Sequence, residues 1–328
     1  MKRIVGRLAG FLAGVLVLSA LAQHLVFGIL RKIDVGDFGV MNRIQNGAIN
    51  SEMLICGSSI GQSHYNPAVL TETTGYSCFN IGLSGSDLGV QLPALKWYLD
   101  RNAPPRYVIQ DIDLFIGETA PRIYEIYKFL PYLRNESLYR GLSLVDPRLW
   151  LNRSFPPANL VYFNRDLQRM MVREYFLNSR SKPDRLIQGY FPNDRPPMSD
   201  DAEREFVRKN ASGLRYRITD AYKALFEELC GLCRRRGIRL FFVLSPERRS
   251  LMALEMNRRE LLAFYEDLSE RWGAWLIDLS DSELSGEKGL WVNMTHLRAE
   301  GAERLTRELA RRILEKIPAK SLSDQTVE

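Results

Sequence analysis

Five short apolar segments, each followed by a stretch of helical pattern, constrain this chain most. They run over Met53–Cys56, 76–80, 107–114, Arg239–Leu244 and 274–279. Between them lie amphipathic stretches: 67–72 closed by Gly75, 88–100, 214–236 and 249–272, with a last one over 299–317. Strands that alternate with helices form a mostly parallel sheet covered on both faces. The expected fold is therefore α/β, three layers, helix over sheet over helix. No internal repeat is visible. At 45% hydrophobic and 26% charged residues, the chain has the composition of a globular protein rather than a disordered one.

The rhythm is interrupted twice. At the N-terminus, Lys2, Arg3 and Arg7 precede an apolar run over 8–30, broken mainly by Gln23 and His24 and closed by Arg31 and Lys32. About 20 apolar residues span a bilayer. The basic flank keeps its end in the cytoplasm, so the remainder is expected outside it. Residues 1–32 therefore read as a membrane anchor. The other reading is a cleaved signal segment, for which Ala20, Leu21 and Ala22 supply an A-x-A site. Both place the globular part, 33–328, on the periplasmic or extracellular side.

The second interruption is an insertion at about 118–212, rich in Pro, Arg and aromatic residues and expected to be mostly helical. Long connections at strand ends often cap a site. Its aromatics suit stacking on sugar rings, contact with a membrane interface, or simply a small core of its own. The net charge of +6 is mild for 328 residues and calls for no nucleic-acid partner. Arg234, Arg235 and Arg236 suit a helix C-terminus.

Cys230 and Cys233 form a lone C-x-x-C within a helical pattern, which fits neither a redox turn nor a complete zinc site. Small buried side chains are the simpler reading. Cys56 and Cys78 sit on strands expected to be neighbours and are a candidate disulfide. The chain shows no metal-ligand spacing, phosphate loop or dinucleotide fingerprint, so neither metal nor cofactor is expected.

The chemistry gathers at two places. Met53–Cys56 runs into Gly57, Ser58 and Ser59, a serine turn at the carboxyl end of a strand, where open α/β sheets bind ligands. Far along the chain, Asn293, Met294, Thr295 and His296 precede the final helix. A serine nucleophile needs an imidazole base, and the two need only meet in space. His64, five residues after Ser59, is the competing base, or else a residue of the substrate mouth.

With these segments in order, the chain resembles the SGNH (GDSL-type) hydrolase superfamily, whose core is a flavodoxin-like α/β/α sheet. The first block appears as Gly57-Ser58-Ser59, a form similar to the membrane-anchored branch. That branch includes the D-alanyl transfer protein of lipoteichoic acid synthesis and the alginate O-acetyltransferases. The resemblance makes Ser59 the nucleophile and puts Ser58 where an Asp is usual. Asn80 to Gly85 matches the second block, with Gly85 at the oxyanion-hole position. The third block's Asn is missing; Gln110 to Asp113 stands there. Asp113 is a candidate site residue, although a carboxylate there would repel an oxyanion. The last block, D-x-x-H, reads Asn293-Met-Thr-His296. The resemblance covers roughly 50–115 and 215–316 and leaves the insertion uncovered.

Asn293 is the main departure. An Asn in the acid position of a Ser-His-Asp site costs roughly 10⁴-fold in rate by favouring the wrong tautomer. Three outcomes stand open. The site runs as a dyad oriented by Asn293 or a backbone carbonyl; another acid (Asp113, Asp278 or Asp281) reaches His296; or the site has lost activity and binds ligand. By resemblance, the expected function is an exported, membrane-anchored serine O-acyltransferase or esterase. It would act on acyl groups, foremost acetyl, of a cell-surface or secreted polysaccharide, with a membrane-bound acyl-donor protein as partner. The alternative is an inactive glycan-binding or assembly subunit of a polysaccharide export system.

Overall fold

A computed structural model describes residues 2–114, 122–176, 188–280 and 282–320. Its centre is a five-stranded parallel sheet: β1 Met53–Cys56, β2 Cys78–Asn80, β3 Tyr107–Ile112, β4 Arg239–Leu244 and β5 Trp275–Asp278. The order is β2-β1-β3-β4-β5, the flavodoxin-like arrangement. Register is set by pairs such as Met53 with Cys78, Met53 with Tyr107, and Tyr107 with Arg239.

Successive strand residues face opposite layers. Leu54, Cys56, Val108, Leu240 and Phe242 join the core beneath α2 (Gly36–Gln45), α5 (Leu88–Arg101) and two later helices, α7 (Asp220–Arg235) and α8 (Arg258–Trp272). Met53, Ile55, Ile109, Phe241 and Val243 face the other layer. There α4 (Pro67–Thr74) packs against the last helix, α9 (Ala299–Leu314). Leu305, Leu309 and Ile313 of α9 are fully buried; each such side chain contributes about 1.5–3 kcal/mol by leaving water. Both faces of the sheet are thus dry, which is why its strands read as continuous apolar runs.

The face assignment corrects one expectation. Cys56 and Cys78 lie on neighbouring strands but in opposite core layers, and Cys78 stands beside Met53 rather than Cys56. They cannot pair, and all four cysteines are free and buried.

Boundaries also moved where caps decide them. The helix expected from 214 begins at Asp220, because the Thr219 side chain accepts from the Tyr222 N–H. The helix expected over 249–272 breaks after Met252 and restarts at Arg258. Asn257, just before the restart, is engaged elsewhere, exchanging hydrogen bonds with the Tyr216 backbone.

The N-terminal helix α1 (Lys2–Leu30) is long and apolar enough to cross a membrane. Residues 2–18 are exposed, whereas Phe27 and Leu30 are buried against the body. Between β3 and α7 the chain forms short helices, among them α6 (Glu136–Val145), which packs on α5.

Candidate active site

The site lies at the carboxyl ends of β1 and β3, between which the chain reverses its winding direction across the sheet. This is the switch point where such sheets bind ligands. The turn after β1 is tight: a side chain at Gly57 would meet the Asp111 Cβ at 2.8 Å and the Gly61 Cα at 3.1 Å. Only glycine permits that approach. The short helix α3 (Ser59–His64) starts here, with Ser58 as N-cap accepting from the Ile60 N–H. Ser59 is thus the first helical residue, half-buried at the sheet edge.

The structure brings Ser59 and His296 together. The Ser59 hydroxyl lies 2.9 Å from His296 Nε2. Behind the ring, Nδ1 lies 3.1 Å from Asn293 Oδ1. That oxygen also receives the backbone N–H groups of Thr295 at 3.0 Å and His296 at 2.8 Å. A backbone N–H can only donate, so the amide is held with its carbonyl oxygen toward the ring. The Thr295 hydroxyl, 3.1 Å from Nδ1, can itself donate to the same Asn293 oxygen at 3.3 Å. With the hydroxyl so turned, both neighbours of Nδ1 accept, which favours the proton on Nδ1 and leaves Nε2 to accept from Ser59. The loop thereby avoids the wrong tautomer that an Asn in this place otherwise selects. Burial, then the positive charge of Arg195, lowers the His296 pKa to about 4, so the imidazole is neutral at pH 7.

The remaining expected residues are placed as follows. Ser58 and Asp113 lie beneath the serine turn, both buried, with the Ser58 hydroxyl donating to Asp113 at 3.0 Å. Burial raises the Asp113 pKa to about 7, with the Ser58 hydrogen bond opposing it. Asp113 has no hydrogen bond to His296, and Asp278 instead accepts from the Ser280 N–H. Asp281 lies outside the described residues. Gly85 sits in an exposed turn at φ +69°, with the Tyr124 ring lying where its side chain would be. Gln110, at the third-block place, is buried and donates to Gln91 and to the Asp111 carbonyl.

His64 departs from both expectations. It is fully buried, so it neither lines a mouth nor faces Ser59. Its Nε2 accepts from the Leu297 N–H at 2.9 Å. Nδ1 must then carry the proton, which it donates to Ser245 Oγ at 3.1 Å. Ser245 lies 2.6 Å from the Tyr65 hydroxyl, which donates to Asp111 at 2.7 Å. Burial keeps His64 neutral, and the nearby His296 adds to this. His64 therefore clamps the residue next to His296.

Sequence reasoning missed Ser245, Tyr65 and Asp111. A polar residue directly after β4 was the available signal for Ser245. Three residues of the segment expected as an insertion touch the elements that carry the site. Lys128 donates to the Ser84 carbonyl at 3.1 Å and forms ion pairs with Asp37 and Glu125. The Phe191 N–H reaches the Gln62 carbonyl, and the Ala299 N–H reaches the Asn193 carbonyl. Residues 128, 191 and 193 are thus fastened to the turn before Gly85, to α3 and to the start of α9. Among the described residues, no cluster of metal-ligating side chains occurs.

A parallel 2-1-3-4-5 sheet with a serine–histidine pair at its strand ends defines an α/β protein with hydrolase-like site geometry. No family model matches the chain, and no curated protein matches it. Solved structures similar to it include a carbohydrate acetylesterase from Sinorhizobium meliloti (10% identity, 81% of this chain and 100% of that chain, TM-score 0.37). Others are a GDSL-like lipase from Bacteroides thetaiotaomicron (9%, 84% and 97%, 0.36) and an aryl esterase of M. smegmatis (11%, 80% and 99%, 0.35). At these identities and scores the likeness carries no argument about activity, which rests on the site itself.

Proposed function

We propose that the protein is a serine acyltransferase or esterase of SGNH type, working through an acyl-enzyme on Ser59. The observation that carries this is the 2.9 Å contact between the Ser59 hydroxyl and His296 Nε2, with the Asn293 carbonyl oxygen behind the ring. The Ser59 oxygen attacks an ester carbonyl while its proton passes to His296 Nε2. The N–H of Ser59, at a helix start where no helical partner exists, and that of Gly85 would hold the oxyanion. Collapse expels the alcohol, which takes the proton from His296. A second alcohol or water then loses its proton to His296, attacks the acyl-serine, and restores the Ser59 hydroxyl.

The substrate we propose is an acyl ester, foremost acetyl, on a cell-surface or secreted polysaccharide. The apolar helix α1 would anchor the protein with its body outside the cytoplasm, and a membrane protein would supply the acyl group. A fluorophosphonate probe tests the core of this reading. Labelling of the wild type that vanishes in Ser59→Ala supports it. Folded protein that takes no label would leave the reading of a non-catalytic glycan-binding or assembly subunit. Acyl analysis of the surface polysaccharide in cells carrying Ser59→Ala tests the substrate.

A further inference from the structure

We propose that the protein touches the bilayer with a second element besides α1. This element is an apolar patch formed by Trp150, Leu151, Phe155, Leu160 and Val161, seated in the headgroup interface around the point where α1 leaves the membrane. The proposal rests on the reading of α1 as a membrane span.

The depth of α1 is set by its own contacts. A hydrocarbon core of about 30 Å takes some 20 helical residues. Counted from Ile4, with Arg7 one turn in and long enough to snorkel back to the headgroups, these end at Gln23. There the body takes hold. Gln23 Oε1 accepts from Asn159 Nδ2 at 2.6 Å. One turn on, the Phe27 ring meets Phe163 edge to face, with centroids 6.4 Å apart. Arg31 donates to the Pro131 carbonyl. The helix Pro157–Leu160 packs directly on α1. Asn159 therefore lies at the membrane boundary, and its neighbours Leu160 and Val161 lie there with it.

Those neighbours are unusual for a surface in water. Val161 is 78% exposed, Trp150 55% and Phe155 43%. Trp150 and Leu151 belong to the helix Leu149–Ser154, whose Asn152 is hydrogen-bonded to Asn159. The patch is thus tied to the residue that fixes its depth. Tryptophan is enriched at the headgroup level, and contiguous exposed apolar groups mark interaction sites. Residues 134–174 hold seven Arg against four Asp or Glu, a net +3 (7 − 4), which suits anionic headgroups. A lipid interface matches all three features: depth, apolarity and charge. The consequence is that the body is held flat against the membrane rather than swinging on a tether.

The test uses the full chain in vesicles of phosphatidylethanolamine and phosphatidylglycerol, with and without bromine on the acyl chains. Carbonate extraction reports whether α1 is inserted. Of the five tryptophans, Trp97 and Trp291 are buried in the body, Trp272 ends α8 and Trp275 begins β5. Brominated lipid should quench a component of emission that disappears in Trp150→Phe. Val161→Glu should cut that quenching by half or more while leaving insertion unchanged. Protein that resists extraction but shows no Trp150 quenching would overturn the patch and leave the anchor, freeing the surface for a protein partner. Protein that extracts would overturn both.

Discussion

His64 and His296 stand edge to face with ring centroids 6.3 Å apart, and the two regions around them put the same ring to different uses. Both imidazoles are kept neutral by burial. His64 has its two nitrogens committed to the Leu297 N–H and to Ser245. His296 spends one nitrogen on a neutral carbonyl oxygen and turns the other toward a half-buried hydroxyl. Under the proposed function His296 is the base and His64 a strut, and burial does not distinguish the two. What separates them is whether the second nitrogen meets a group that a substrate can also reach.

The sharpest way to break this contrast is to remove each ring in turn. His296→Ala should lower kcat/KM by roughly 10⁴-fold or more, since a serine without its base retains little reactivity. Thermal stability should change less than in the His64 variant, because the groups left behind, the half-buried Ser59 hydroxyl and an Asn293 oxygen that keeps two backbone N–H donors, are not stranded in the interior. A variant that kept a tenth of wild-type activity would sink the assignment of His296.

His64→Ala should behave in the opposite way. It leaves the Leu297 N–H without a partner in the interior and Ser245 with the Tyr65 hydroxyl alone. A buried polar group left unmet costs about 1–3 kcal/mol, so a loss of roughly that size is expected in urea unfolding. Activity should fall through kcat rather than KM, as the residue beside His296 loosens. His64→Gln, which can still accept from Leu297, should recover part of both. Full stability in His64→Ala would show that the clamp is not needed.

How much of this was legible in the chain depends on what kind of signal each residue carries. The strands were legible because a sheet covered on both faces favours unbroken apolar runs, as in Leu240 to Leu244; β3, with Gln110 and Asp111 near the site, interrupts its run with buried polar residues. Ser59 and His296 were legible because a serine turn after a strand and a histidine before a helix are local patterns. The orienting place of Asn293 was one of three open readings that the chain could not choose between, and the inward place of His64 was not legible. Which atom of the Asn293 amide faces the ring is decided by the backbone of Thr295 and Ser59's partner His296, and backbone direction in a loop leaves no trace in residue identity. His64 is near Ser59 in sequence, yet α3 turns it inward toward Leu297, 233 residues away. The failed Cys56–Cys78 pairing has the same cause: adjacency of strands was readable, but register was not.

Asn293 allows a finer test of the contrast, because its carbonyl orients the ring without supplying charge. Asn293→Leu should reduce kcat about 10- to 100-fold by freeing the tautomer, consistent with one oriented hydrogen bond in the transition state. Asn293→Asp should raise kcat, but only by about 10-fold, since the geometry is already correct and the carboxylate adds only charge. It should also move the acid limb of the pH profile above its position near pH 4. A gain approaching the full tautomer penalty would mean that the wild-type amide points the other way.

The smallest effect concerns Arg195. A base whose pKa is lowered stays unprotonated to lower pH, so kcat/KM on a soluble ester should hold steady from neutrality downward and fall through pH about 4. Burial is the larger cause of that lowering and the Arg195 charge the smaller. Taking the charge away in Arg195→Gln eases protonation of His296, so the acid limb should move toward higher pH. Because Arg195 is exposed, salt screens its field. The displacement should be roughly half a pH unit or less in dilute buffer and should shrink near 1 M salt, where the Debye length is about 3 Å. The corresponding limb in Asn293→Asp should move further and respond less to salt, since its charge would sit directly against the buried Nδ1. If both limbs shifted alike and faded alike with salt, His296 would be sensing bulk charge rather than its own loop, and the distinction drawn between the two imidazoles would fail.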